Sequence, residues 1–401
     1  MSHAPEPAGR PAGGKVEALD SVRGLAALVV VAAHLIAGFH PTVYFDAKAV
    51  VTPWLRVWYH GDFAVALFFV LSGFVLSLSF FRTRSVEVLR AAAARRYWRL
   101  VVPVAASIAL AYGLHSAGLF ANREAALAMA PYEVEWLGGF YSYEPSALDA
   151  ATEALWGAFV GWDRKATYNV VLWTMGYEFF GSLLLFGFLA LAGGLRRRVL
   201  VYAAAGVVLQ QMGHLWLVQF LAGAAICDAY TSAGVARGVA RPALSLASAL
   251  LLAAGLGLGG LTPAWYADAT GRPPLSPPSV ALAQLLGVVL VLVGVLGSPL
   301  TQRVLSLGPL RFVGRISFPL YLVHLPVMCS LGCAVYLRCV RAEGMAHADA
   351  FAWAAAATVG ASVPLAWVGS RTVEPLSIWL GRKVYRAAFA PTPAFAPRPP
   401  A

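Results

Sequence analysis

Apolar residues do not alternate with polar ones along this chain; they come in blocks. A helix that crosses a bilayer needs about 20 mostly apolar residues. At that length the blocks predict ten spans: 19–39, 63–81, 99–120, 169–193, 199–212, 214–232, 243–262, 279–297, 316–338 and 351–370. The fifth is short and its link to the sixth is tight. Most connections are short, but residues 121–168 form a long loop with acids and aromatics, among them Trp136, Phe140, Tyr141 and Trp162. This loop reads either as a sugar-binding surface or as an interfacial aromatic belt. The expected fold class is all-α, a polytopic integral membrane protein.

Composition points the same way. Of 401 residues, 59% are apolar and 12% charged, whereas soluble domains carry about 45–50% and about 25%. A soluble enzyme, a disordered chain and a nucleic-acid-binding domain are thereby excluded. The net charge of +11 follows position. With the N-terminus inside, most of the 30 Lys and Arg fall in cytoplasmic segments and most of the 19 acids in outer loops. The positive-inside rule then places both termini in the cytoplasm, and the basic excess requires no nucleic-acid partner. Cys227, Cys329, Cys333 and Cys339 form no C-x-x-C pair and read as small buried hydrophobes. The first sixteen residues hold no apolar core, so no cleavable signal is expected and the first block stays as a span.

Ionisable groups inside a bilayer cost several kcal/mol and mark function by default. On the first helix, Arg23 and His34 stand eleven residues apart, which is about 16 Å along the axis and about 20° around it. One elongated anion could touch both; a snorkelling Arg and an interhelical His fit as well. Arg96 and Arg99 flank the start of the third span. With Arg23 they could clamp phosphates, or serve only as positive-inside anchors. Glu178 lies near mid-span in the fourth block, and His34 is a partner at similar depth. Ser317, Tyr321 and His324 share a face of the ninth span, suited to substrate binding or interhelical contact. No G-x-S-x-G, P-loop, H-E-x-x-H or dinucleotide fingerprint stands in a suitable context.

In order along the chain, LDSVRGLAALVVVAAH (19–34), FFVLSGFVLS, RRYWRL, LWTMGYEFFGS and ISFPLYLVH resemble the blocks of the membrane acyltransferase 3 family. FLAGAAICD and VEPLSIWLGRK are weaker matches. The fourth block departs in its continuation after Glu178, and Pro319 interrupts the ninth. Composition and charge position give a cytoplasmic tail over 1–16 and a disordered Pro/Ala-rich cytoplasmic tail over 387–401; the resemblance implies a membrane acyltransferase domain over 17–386 between them. It implies a multi-pass protein of a bacterial cytoplasmic membrane. It further implies transfer of an acyl group, often acetyl, from cytoplasmic acyl-CoA to a hydroxyl of a carbohydrate, a cell-surface glycan or a small natural product, with no metal. His34 would be the catalytic histidine, Glu178 its support, and Arg23, Arg96 and Arg99 the donor's phosphate ligands.

The expected mechanism has His34 as general base on the acceptor hydroxyl, with an acyl-histidine as the second option. The pantetheine arm would run up one groove from Arg23 to His34. A transporter or flippase uses similar intramembrane groups, and polar residues acting only as interhelical glue are a third reading. The oligomeric state is not legible.

Overall fold

A computed structural model describes residues 17–45, 52–129, 135–232 and 242–389. Among them the structure is helical, with no strand. A helix satisfies its own backbone groups, which lipid does not do for it. The principal helices are α1 (Glu17–Phe39), α2 (Gly61–Thr83), α3 (Val86–Ser116), α4 (Trp173–Ala192), α5 (Arg198–Gln211), α6 (Leu215–Ser232), α7 (Pro242–Gly259), α8 (Pro277–Gly297), α9 (Gly308–Val327), α10 (Cys333–Arg341), α11 (His347–Arg371) and α12 (Val373–Phe389).

All ten expected segments are helical. Among the described residues, seven helices are long and apolar enough to cross a membrane. The number is eight if Leu246–Gly259 and Pro263–Thr270, bent by 108°, make one span. The two that fall short are α5, with 14 residues, and α6, which buries Gln219 and Asp228. The tail over 1–16 lies outside the described residues. The tail expected to be disordered from 387 is helical as far as Phe389, and its remainder also lies outside them.

Two stretches differ from expectation for local reasons. The basic link after α2 is mostly helix. Arg84, at φ 56°, closes α2, and Ser85 is extended. From Val86 the chain is helical, with Glu87 in the first turn and the run Ala91–Ala94 favouring the helix. Arg96 and Arg99 therefore project from a helix rather than from a loop end. The ninth span is interrupted as well: α9 passes into α10 through a π turn at Met328–Gly332.

Helices meet closely where glycine clears the way, as expected where packing rather than water drives association. A Cβ on Gly24 of α1 would stand 2.5 Å from Gly314 N of α9, and one on Gly314 would stand 2.6 Å from Asp20 O. Gly73 of α2 and Gly223 of α6 make a second such crossing, with hypothetical Cβ atoms 2.1 Å from Phe220 O and 2.0 Å from Val70 O. Helix α12 lies along α3 and carries Glu374 and Ser377 to one end of the bundle. The four cysteines are free and buried.

Candidate active site

The Gly24–Gly314 contact sets the register of α1 against α9, and two polar cross-links follow from it. Arg23 Nε donates to Ser317 Oγ at 2.9 Å, and Ser317 Oγ donates to Gly314 O at 2.9 Å. Three turns further along, His34 Nδ1 lies 2.7 Å from His324 Nε2. Both helices advance in the same sense between these rungs. The longer rise on α1 is taken up by the length of the Arg23 side chain. Between the rungs Tyr321 donates to Val171 O at 2.7 Å and lies 2.9 Å from Thr174 Oγ1. Ser317, Tyr321 and His324 thus share a buried face, as their spacing required.

The hydrogen-bond acceptors assign the tautomers of the histidine pair. His324 Nδ1 sits 3.1 Å from Leu320 O. A carbonyl only accepts, so that nitrogen carries the proton. In the neutral ring His324 Nε2 is then the acceptor, and His34 Nδ1 must donate to it. The lone pair of neutral His34 falls on Nε2. That nitrogen has no hydrogen-bond partner among the described residues, and His34 as a residue is half-buried, whereas His324 is 1% exposed. A base needs such an oriented, available nitrogen.

His324 is held in place by a broken helix. Pro326 has no N–H, so the carbonyl four residues earlier, Leu322 O, loses its helical donor. Asn169 Nδ2 donates to that oxygen at 2.6 Å and Ser107 Oγ at 3.0 Å. Asn169 also donates to Ser107 Oγ at 2.7 Å. Helix α3 and the entry to α4 are thereby pinned to the turn that carries His324. On the other side Trp136 stacks on His34, with ring centroids 5.5 Å apart.

At the Arg23 end a cavity of about 370 Å³ opens between α1, α2, α3, α4, α9 and α12. Arg23, Arg96 and Arg99 all line it, with Asp20, Glu178 and Glu374 beside them. The three arginines singled out from the sequence converge. Arg96 forms an ion pair with Glu178 and donates to Ser182 Oγ at 2.9 Å, while Ser72 Oγ donates to Glu178 at 2.9 Å. Arg23 pairs with Asp20 at 3.3 Å.

Two expectations change. Glu178 does not partner His34: it faces Arg96 and Ser72, and His34 faces His324. The opposite charge of a guanidinium satisfies a carboxylate in the bundle better than a neutral ring does. The continuous groove from Arg23 to His34 is also not found. Phe68 and Tyr321 line the cavity, but neither His34 nor His324 does. Tyr321 packs against Phe68 at 5.8 Å and His324 at 6.2 Å, forming the ceiling below the histidines. Sequence reasoning also missed Ser107, Asn169 and Pro326; a proline two residues after an intramembrane histidine was the available signal. Among the described residues no group of three or more His, Cys, Asp or Glu could hold a metal.

Beyond the histidines, the long segment between α3 and α4 builds its own scaffold. Buried Asn122 donates to Leu137 O at 2.8 Å and Phe140 O at 3.0 Å, fixing the turn that carries Trp136. Glu153 accepts from Thr167 Oγ1 and, at 2.9 Å, from Tyr168 N–H. Burial pushes the Glu153 carboxyl up from its ordinary value, and these two hydrogen bonds oppose the rise.

A polytopic helical bundle with a polar, partly accessible centre is the frame of a membrane-embedded enzyme. The chain belongs to the acyltransferase 3 family: the family's acyltransferase domain matches residues 16–371. It is an integral membrane O-acyltransferase. It is similar to the O-acetyltransferase PaAT-1 of Phomopsis amygdali, with 26% identity over 373 residues, covering 81% of this chain and 75% of that protein. No solved structure matches the chain.

Proposed function

We infer that the protein transfers an acyl group from acyl-CoA to a hydroxyl of a carbohydrate, a cell-surface glycan or a small natural product. The name of the Phomopsis amygdali relative, an O-acetyltransferase, favours acetyl. The observation that carries this reading is the convergence of three arginines on one cavity below a histidine pair whose hydrogen bonds leave His34 Nε2 unprotonated. The donor's phosphates dock on Arg23, Arg96 and Arg99 from the cytoplasmic side. Glu178 acts through Arg96, holding its guanidinium toward the cavity, rather than on His34. Ser317 does the same for Arg23.

The pantetheine arm rises into the cavity and displaces Phe68 and Tyr321, which joins the cavity to His34. His34 Nε2 takes the proton of the acceptor hydroxyl as its oxygen attacks the thioester carbonyl. The C–S bond breaks, and the leaving thiolate recovers the proton from His34. His324 keeps the proton of His34 on Nδ1 throughout. Base catalysis of this kind contributes about 10²–10⁴-fold, with positioning by the arginines supplying a further share.

The test is purified protein in nanodiscs with acetyl-CoA and cell-envelope or metabolite extracts, read by thiol release and mass spectrometry. Wild-type protein is expected to release thiol with a matching acetyl mass gain on the acceptor. His34→Ala is expected to insert normally and release none. Normal transfer by His34→Ala would overturn the catalytic assignment.

A further inference from the structure

A second cavity, of about 630 Å³, opens on the far side of the histidine pair. Its walls include Trp136, Phe140, Phe45 and Pro41, and among the described residues its charged lining is Arg164 and Lys165. Trp136 is a shared wall: one face of its surroundings is this cavity, and it also stacks on His34. Phe140 meets Trp136 edge-on at 4.9 Å, and Phe45 lies 6.4 Å from it. Both cations are exposed, and neither has an ion-pair partner among the described residues. The acid-rich loop therefore presents a basic, aromatic pocket where it approaches the base.

The pocket is built rather than incidental. Asn122 pins the turn of Trp136 and Phe140 from beneath. Tyr141, within that turn, is held at φ 56° and stacks flat on Phe120; a non-glycine residue in that region persists only where its surroundings hold it. The Thr167–Glu153–Tyr168 network anchors the turn bearing Arg164 and Lys165 from the other side. A volume of this size suits a small ligand or a terminal sugar with its substituents.

We propose that this cavity is the acceptor subsite and that it takes a hydroxyl compound carrying an anionic group, a carboxylate or a phosphate. The anion sits on Arg164 and Lys165, the body of the acceptor lies against Trp136 and Phe140, and its hydroxyl points past Trp136 toward His34 Nε2. Donor and acceptor thus approach the histidine from opposite ends. A guanidinium and an ammonium without ion-pair partners among the described residues, set beside apolar walls, select for charge at one end of the ligand and for a flat or apolar body at the other. This inference rests on the acyl-transfer reading above and adds the chemical class of the acceptor.

The test measures binding separately from turnover. Saturation-transfer NMR on His34→Ala protein in nanodiscs compares matched probes: 4-(hydroxymethyl)benzoate with benzyl alcohol, methyl glucuronide with methyl glucoside, and glucose 6-phosphate with glucose. At least one anion is expected to bind more tightly than its neutral partner. The double variant Arg164→Gln/Lys165→Gln is expected to weaken that anion by about tenfold, the range for hydrogen bonds to charged groups with some solvent screening, and to leave the neutral partner unchanged. Carboxylate against phosphate preference identifies the anion. No preference for any anion, or a preference that survives the double variant, would overturn the subsite. Charge-dependent binding together with full acetyl transfer by His34→Ala would overturn the histidine mechanism alone and leave the subsite standing.

Discussion

His34 and His324 meet nitrogen to nitrogen at 2.7 Å, and His324 is already committed through its other nitrogen to Leu320 O. This chain of hydrogen bonds decides which nitrogen of neutral His34 keeps its lone pair. In the proposed mechanism His324, read from the sequence as suited to substrate binding or interhelical contact, is a positioning residue. His324→Ala frees the His34 ring to adopt either tautomer, and kcat is expected to fall by about 10²-fold with donor KM little changed. His324→Gln, whose side-chain oxygen can accept from Nδ1, is expected to recover part of that loss. Steady-state kinetics of the three proteins checks this; equal kcat in all of them would show that the pair only packs.

The Arg96–Glu178 pair is 13% and 16% exposed. Glu178→Ala leaves a guanidinium without its carboxylate in a low-dielectric site and is expected to cost about 3–5 kcal/mol. The paired replacement Arg96→Met/Glu178→Leu is expected to regain most of the lost stability without regaining donor affinity. Arg23→Ala should instead raise donor KM with a small change in Tm, because Arg23 is the more exposed cation at 37%. Thermal unfolding in detergent, set beside donor titrations, separates the two behaviours.

Gly24 and Gly314 allow two backbones to touch. Gly314→Ala places a methyl group 2.6 Å from Asp20 O, so α1 and α9 must separate. The expected cost is about 1–3 kcal/mol, with activity lost in step because both polar rungs depend on that register. Gly187→Ala in α4 is the control: its Cβ meets nothing within 4 Å, and helix propensity favours alanine by up to about 1 kcal/mol. Unfolding midpoints of the two variants are expected to move in opposite directions.

The long segment between α3 and α4 should tighten in mild acid. Burial raises the Glu153 carboxyl above its ordinary 4.5, so the folded loop binds a proton more readily than the unfolded chain does. For an acid raised in this way, stability grows as pH falls from the folded value toward 4.5 and declines again as pH rises through the folded value. Protection of the amides of residues 146–168, taken relative to the intrinsic exchange rate at each pH, is expected to rise as pH falls from neutral toward the ordinary carboxyl range, and Glu153→Gln is expected to remove most of that rise. Exchange protection that weakens on acidification in the wild type would contradict the assignment.

Some of the site is legible in the amino-acid sequence. Helix periodicity placed Arg23 and His34 on one face of α1, and Ser317, Tyr321 and His324 on one face of α9. Positional charge and block order brought in Arg96 and Arg99. The partner of Glu178 was not legible. Its depth matched that of His34, but depth in a span says nothing of which neighbour a side chain turns toward. The carbonyl freed by Pro326 could be foreseen; its donors, Asn169 and Ser107, could not, since they lie 153 and 215 residues away.

The amino-acid order by itself determined an all-helical membrane chain, the family it belongs to, and which polar groups share a face of their own helix. Those properties follow from local geometry, a fixed rise and rotation per residue, and from the aversion of lipid to unsatisfied polar groups. Only the tertiary structure decided that His34 pairs with His324, that Glu178 pairs with Arg96, and that the arginine cavity ends below Tyr321. Each depends on the rotation and register of one helix against another, and these are set by glycine contacts such as Gly24–Gly314, between segments 290 residues apart.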